Sequence, residues 1–269
     1  MNKVENEMLD LLKQLRDEYG AVAVKAEFEA EGTRTDELLR LIDLTRQSGL
    51  KVALKIGGCE AVRDLIESKQ FGVDYIIAPM VETQYSLSKF IKAKNTVYSL
   101  DQQKYTSFLF NLETGTTYDN LEDMLKLASN ENQLDGVVFG RVDFTSSIGK
   151  SRSAINTDEI TNFVCEASEK AKQYNLDFVV GGGVDIDSIS ELEKINSIHL
   201  NRFETRKVVF DAQNGLIADT VKALQSTVYF ELLWLKNKQK YYLDISNEDV
   251  SRISMLQDRW ENIKLGYSV

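Results

Sequence analysis

Short β-rich apolar runs alternate with amphipathic helical segments from residue 21 to about residue 203, and this rhythm limits the fold more than any other feature. AVAVKAEFEAEG (21–32), LKVALKIGG (50–58) and VDYIIAPMV (73–81) each precede a segment with helical periodicity. SFLFNLETG (107–115), LDGVVFG (134–140) and LDFVVGGGV (176–184) continue the series. With TVYSL (96–100) and IHLNRF (198–203), the runs near 21, 50, 73, 96, 107, 134, 176 and 198 make eight. Strands separated by helices are joined by crossovers and so run parallel. Eight such units predict a closed (β/α)8 TIM barrel. The rival is an open doubly wound sheet, but no GxGxxG follows the first run and no GxxxxGK[ST] occurs anywhere.

Two segments lie outside the rhythm. Met8, Leu11, Leu12 and Leu15 recur at helical spacing and predict an N-terminal helix over 4–18. From about 211 the chain reads as two long helices, the first striped by Val221, Leu224, Val228, Leu232 and Leu235. With no low-complexity linker, the expectation is a barrel domain over 1–210 and a helical extension over 211–269, part of the same domain or an oligomer interface. Tyr229, Phe230, Trp234, Tyr241 and Tyr242 suit either packing on the barrel wall or a subunit contact.

A formal net charge of −10 repels phosphate backbones and anionic membrane surfaces, so neither nucleic acid nor membrane is an expected partner. A local site can still differ in sign from the whole and take a small anionic substrate. Cys59 and Cys165 have no zinc-site spacing and read as reduced thiols. The first twenty residues lack the apolar stretch of a secretory signal, and the expected location is the cytoplasm.

Barrel chemistry sits at the C-terminal ends of strands. Those ends carry Glu27 and Glu29, Lys55, Met80 and Glu82, Glu113, Arg141 and Asp143, Gly181 to Gly183, and Arg202 with Glu204 and Arg206. Glu113 and Asp143 close consecutive predicted strands and can reach one hard dication. They can equally do no more than cap the helices that follow. The three glycines suit either close approach of backbone to a ligand or tight helix packing. Arg202, Arg206 and Lys207 form either an anion site or a surface ladder. His199, the only histidine, falls at the start of the last run, at the end of the barrel away from the chemistry.

FLFNLETGTTYDNLEDML (108–125), LDGVVFGRVDFTSSIG (134–149) and FGVDYIIAPMVET (71–83) resemble, in order and spacing, three segments of the HpcH/HpaI aldolase/citrate lyase family. The resemblance spans roughly 20–185. It implies a metal-dependent barrel that makes or breaks a carbon–carbon bond next to a 2-oxo acid or an acyl-CoA. It also implies that Glu113 and Asp143 bind Mg²⁺ or Mn²⁺, and that a strand-end cation stabilises developing negative charge. Lys55 stands where the family's aldolases carry arginine, which keeps the charge but not the two-pronged geometry. Phe28 stands where they carry an acid–base histidine, and their Arg-Gly loop is absent.

The expectation is therefore a lyase or aldolase-like enzyme acting on a small 2-oxo acid or a phosphorylated relative. Lys55 and Glu27 are its catalytic groups. Met80, Gly140, Arg141, Val142, Gly182 and Arg202 are its substrate-binding residues. A homo-oligomer built through the C-terminal helices is expected. The alternatives are a degenerate barrel that binds a ligand or protein, and an acyl-CoA lyase related to citrate lyase β subunits.

Overall fold

The computed structural model describes residues 1–266. Eight strands close into a barrel in sequence order. The chain enters through α1 (Lys3–Tyr19) and β1 (Ala21–Glu27), then α2 (Thr35–Gln47), β2 (Lys51–Lys55), α3 (Val62–Phe71) and β3 (Tyr75–Ala78). It continues through α4 (Gln84–Val97), β4 (Ser107–Leu112), α5 (Gly115–Asp119), α6 (Leu121–Ser129) and β5 (Gly136–Gly140). The second half holds α7 (Arg141–Ser147), α8 (Asp158–Gln173), β6 (Asp177–Gly181), α9 (Ile189–Asn196), β7 (Arg202–Glu204), β8 (Val208–Asp211), α10 (Ala212–Gly215) and α11 (Thr220–Gly266). Residues 267–269, the end of the expected extension, lie outside the described residues. No described helix is long and apolar enough to cross a membrane.

The barrel is the expected one, with two corrections. Residues 96–100 are not a strand: α4 runs through Val97, and Tyr98 ends it by packing edge-on against Phe108 at 5.0 Å. The eighth strand is instead β8, antiparallel to both β7 and β1. Only residues 205–207 separate β7 from β8, far too few for a helical crossover, so the chain must turn back as a hairpin. The Thr205 hydroxyl accepts from Val208 N–H at 3.1 Å and closes that turn.

Alternation along the strands sorts side chains into two environments. One set faces the helices and forms the main core, with Phe108, Phe110, Phe139, Phe178, Phe203 and Phe210 all buried. The other fills the barrel. Its middle layer takes one residue from each of seven strands: Ala23, Ala53, Ile77, Leu109, Val138, Val179 and Val209. Above this plug the inward positions turn polar, and there the cavity opens.

α1 is closed by a capping box in which the Asn2 side chain accepts from Glu5 N–H at 2.9 Å. It buries Met8, Leu12 and Leu15 and packs along the start of α11. The two helices expected in the tail are one, of 47 residues, about 70 Å long at 1.5 Å per residue. Phe230, Leu233 and Trp234 are buried, so this part of the helix lies on the body of the protein.

Candidate active site

The C-terminal mouth of the barrel holds a cavity of about 540 Å³. Its floor is built by parity: each inward residue above the apolar layer is two positions further along its strand. On β1 these are Lys25 and Glu27, on β2 Lys55, on β4 Asn111 followed by Glu113, on β5 Gly140, on β6 Gly181 and on β7 Glu204.

Two ion-pair systems occupy the floor. Lys25 is buried and pairs with Glu204 at 2.5 Å and Glu27 at 3.3 Å. Burial alone lowers an ammonium's pKa, but the two carboxylates outweigh it and hold Lys25 well above the ordinary lysine range. Burial likewise raises Glu27, yet Lys25 and Lys55 overcome it and the carboxyl ends below its usual value. Glu27 is thus an ionised partner of Lys25 with a weakened capacity to take up a proton. Lys25→Met leaves Glu27 and Glu204 without their shared counter-ion. We expect a loss of about 3–5 kcal/mol in unfolding free energy, read from urea melts. An unchanged midpoint would mean that cavity water screens the two carboxylates.

The second system centres on Glu113, which is 2% exposed. Lys55 pairs with its Oε1 at 2.7 Å, and the Asn111 amide donates to the same oxygen. Oε2 receives one long contact, from Met80 N–H at 3.3 Å. Met80 adopts a left-handed φ of 49°, a conformation costly for a side-chain-bearing residue, and this turns its N–H toward Glu113. A Cβ at Gly140 would lie 2.7 Å from Glu113 Cγ, so only glycine leaves Glu113 its seat. Burial opposes the Lys55 charge, but Glu113 and then Glu29 raise its pKa above the ordinary value. A lysine held this firmly protonated is a poor Schiff-base nucleophile.

Asp143 is exposed, lies in the first turn of α7, and lines the same cavity. Its carboxylate makes no hydrogen bond or ion pair with a described residue. Met80, Gly140, Val142 and Gly182, read from the sequence as substrate-binding residues, also line the cavity.

Two of the expected substrate-binding residues lie elsewhere. Arg202 starts β7 at the opposite end of the barrel, pairs with Asp177 at 2.9 Å and lies over the Tyr75 ring at 4.8 Å. Its strand has only three residues, so the position read as a strand's end is its beginning. Arg141 points down and away from the cavity, 1% exposed. It donates to Gly182 O at 3.2 Å, Gly183 O at 3.0 Å and Asn156 Oδ1 at 3.0 Å. Burial pulls its pKa down to about 10. Gly182 has φ 79°, and a Cβ there would lie 2.8 Å from the backbone nitrogens of Arg141 and Val142. The glycine run therefore lets the β6 loop pack on the start of α7. Arg206 and Lys207 do not form an anion site with Arg202, since both are paired with Glu31. His199 hydrogen-bonds Leu176 O at 2.9 Å, away from the chemistry, as expected. Phe28 turns outward onto the core beneath the helices.

Asn111 was not singled out by sequence. Its place two residues before Glu113 on one strand was the available signal. Asn111 is 4% exposed, and its Oδ1 has no hydrogen-bond partner. A buried carbonyl oxygen without a partner is costly.

Charge gives a second indication. Among the described residues, seven carboxylates line the cavity (Glu27, Glu29, Glu113, Asp143, Asp185, Glu204 and Glu231) against four cations (Lys25, Lys55, Arg152 and Arg206). The excess is three negative charges. Such a cavity repels a lone organic acid and favours one that arrives with a dication.

A model of the HpcH/HpaI aldolase/citrate lyase family matches residues 20–194. The chain belongs to this family. Membership supports a lyase-type function. Solved structures agree on the fold at low identity. An HpcH/HpaI aldolase from Desulfitobacterium hafniense DCB-2 superposes with a TM-score of 0.59 at 11% identity, over 76% of this chain and 84% of that one. An HpcH/HpaI aldolase/citrate lyase family protein from Burkholderia cenocepacia J2315 gives 0.55 at 12%, over 81% and 98%. A variant of the citrate synthase SbnG gives 0.55 at 16%, over 87% and 90%. No curated protein matches this HpcH/HpaI chain.

Proposed function

We propose that the protein is a divalent-metal-dependent carbon–carbon lyase acting on a small 2-oxo acid. The observation that carries the reading is the net-negative cavity that Glu113 and Asp143 line together at the mouth of the barrel. Glu113 and Asp143 would hold Mg²⁺ or Mn²⁺, which take few protein ligands and complete their shell with water and substrate. Among the described residues, no group of three or more His, Cys, Asp or Glu side chains is placed to hold a metal ion. Such an ion acts as a Lewis acid on a substrate carbonyl.

The chain's own residues supply the rest. Lys55, protonated and 2.7 Å from Glu113, stabilises negative charge as it develops on the substrate oxygen. Glu29, unlike Glu27, is not tied to Lys25 and is the candidate proton acceptor. It stands at the mouth, and its Oε2, 3.3 Å from Lys55, is not aligned for a hydrogen bond. Glu27 instead keeps Lys25 in place. The test is exchange of pyruvate methyl protons for deuterium with Mn²⁺ present. Exchange above the protein-free rate is expected; none across a panel of 2-oxo acids would leave a barrel that binds without catalysing.

Assembly belongs to the same reading. From residue 243 to 266, α11 has no buried side chain, and Ile253, Leu256, Trp260 and Ile263 line one exposed stripe. Their spacing of three, four and three is that of a helix–helix seam. A helix leaving the body gains no tertiary packing, and a second copy of this chain offers the same stripe in return. Ile253→Asp with Leu256→Asp is expected to lower the mass seen by light scattering without changing the barrel's melting point. An unchanged mass would remove the stripe from assembly.

A further inference from the structure

We propose that Glu31 is a positioning residue: its grip on the β7–β8 hairpin sets where Glu29 stands against Lys55. The proposal rests on the metal-dependent lyase reading in which Glu29 accepts the proton, and it names what places that base.

Glu29 sits on the loop that joins β1 to α2, residues 28–34. The ends of this loop are fixed. Phe28 N–H donates to Lys55 O at 2.8 Å while its ring packs on the core, and Thr33 N–H donates to Glu27 O at 3.2 Å. Between these points, residues 29–32 make no hydrogen bond to another described backbone group. Nor does the Glu29 carboxylate fix itself, since its Oε2 lies 3.3 Å from Lys55 without hydrogen-bond geometry. A general base has to stay within hydrogen-bond reach of the proton it takes, so another contact must hold this stretch.

Glu31 makes that contact with both its oxygens. Arg206 Nε donates to Oε1 at 3.1 Å, and Lys207 Nζ donates to Oε2. The Lys207 side chain is 4% exposed and that of Glu31 14%, which shields the pair from water and salt as a surface pair is not. Burial pulls the Lys207 pKa below the ordinary lysine value, and Glu31 is the largest of the charges that oppose the shift. Arg206 is the lesser partner: it is half exposed and also faces Glu231 of α11 at 3.8 Å.

The hairpin is a firm anchor. Lys207 O accepts from Lys25 N–H at 2.8 Å, Val208 pairs with Val24 on β1, and Thr205 closes the turn. Only Ala30 separates Glu31 from Glu29, so a clasp on one confines the other. Neither Glu31 nor Lys207 is among the residues that line the cavity. The pair therefore reaches the chemistry only through the loop.

Mn²⁺-dependent exchange of pyruvate methyl protons tests this in wild type, Glu31→Gln, Glu29→Gln and the double variant. Glu31→Gln is expected to lose about 10- to 100-fold in kcat, the cost of a misplaced catalytic group, with the KM for pyruvate and the affinity for Mn²⁺ unchanged. Glu31→Asp, which keeps the charge, should recover part of the rate. In the Glu29→Gln background, Glu31→Gln should cost less than about two-fold, because no base is left to place. Amide hydrogen exchange followed by mass spectrometry gives a readout independent of turnover. Glu31→Gln should speed exchange over residues 29–34 and leave the hairpin unchanged. Should Glu31→Gln fail to fold, Arg206→Gln on the exposed side of the clasp carries the same cycle with a smaller loss. An unaltered kcat, an equal loss in both backgrounds, or unaltered amide exchange over 29–34 overturns the proposal alone. Absence of methyl exchange by wild type with every 2-oxo acid overturns the lyase reading and this proposal with it.

Discussion

Asp143→Asn is expected to lower Mn²⁺-dependent exchange of pyruvate protons by about a thousand-fold or more, the equivalent of several kcal/mol of lost charge stabilisation. Glu113→Gln should do the same, but the asparagine variant is the cleaner test. Asp143 is exposed and makes no contact that folding needs, whereas Glu113 is buried beneath Lys55 and Asn111. Asp143 also stands in the first turn of α7, where a carboxylate is worth typically 0.3–1 kcal/mol against the helix dipole. If that were its whole role, Asp143→Asn would shift the melting point slightly and leave Mn²⁺ binding untouched. The metal reading predicts the same small effect on stability but loss of Mn²⁺ binding. Retained exchange in the presence of chelator, in either variant, would sink it.

The alternating pattern was enough to read the barrel, because each βα unit writes its own periodicity into the chain. It failed where a local signal competed with a longer-range one. TVYSL has the β-branched and aromatic residues of a strand, but α4 carries on through its first half and Tyr98 finds its pocket on Phe108. IHLNRF and KVVF lie too close together for two parallel strands, and that three-residue gap was the available evidence for a hairpin. Lys25, Glu27, Asn111 and Glu113 were within reach of period-two reading, since all share the inward parity. Glu27 and Glu113 were nevertheless picked out without Lys25 and Asn111. The roles of Arg141 and Arg202 were not accessible this way. Which arginine faces the cavity depends on how the 149–157 segment folds back over Gly183, and on where the short β7 begins. Neither is written in local spacing.

The same geometry separates two effects that a metal site normally joins. Lys55 lies 2.7 Å from Glu113 Oε1, so an ammonium and a dication would share one carboxylate. Their repulsion would weaken metal binding even as both would stabilise negative charge on a bound acid. Lys55→Met is therefore expected to bind Mn²⁺ alone more tightly, roughly ten-fold, or about 1.4 kcal/mol. It should also lose 10²–10³-fold in proton exchange, the usual cost of removing one donor from a site of developing charge. Lys55→Arg keeps the charge in the form that the family's aldolases use and should recover most of the rate. Stability supplies the control. Lys55 has its pKa raised in the folded state, so the stabilisation it draws from Glu113 and Glu29 is complete below the ordinary lysine value of 10.5. It disappears as pH rises through the higher folded value. The stability gap between wild type and Lys55→Met should accordingly hold steady through neutral pH and close on the alkaline side. A Lys55→Met protein with weaker Mn²⁺ binding and undiminished exchange would mean that the lysine serves only to seat Glu113.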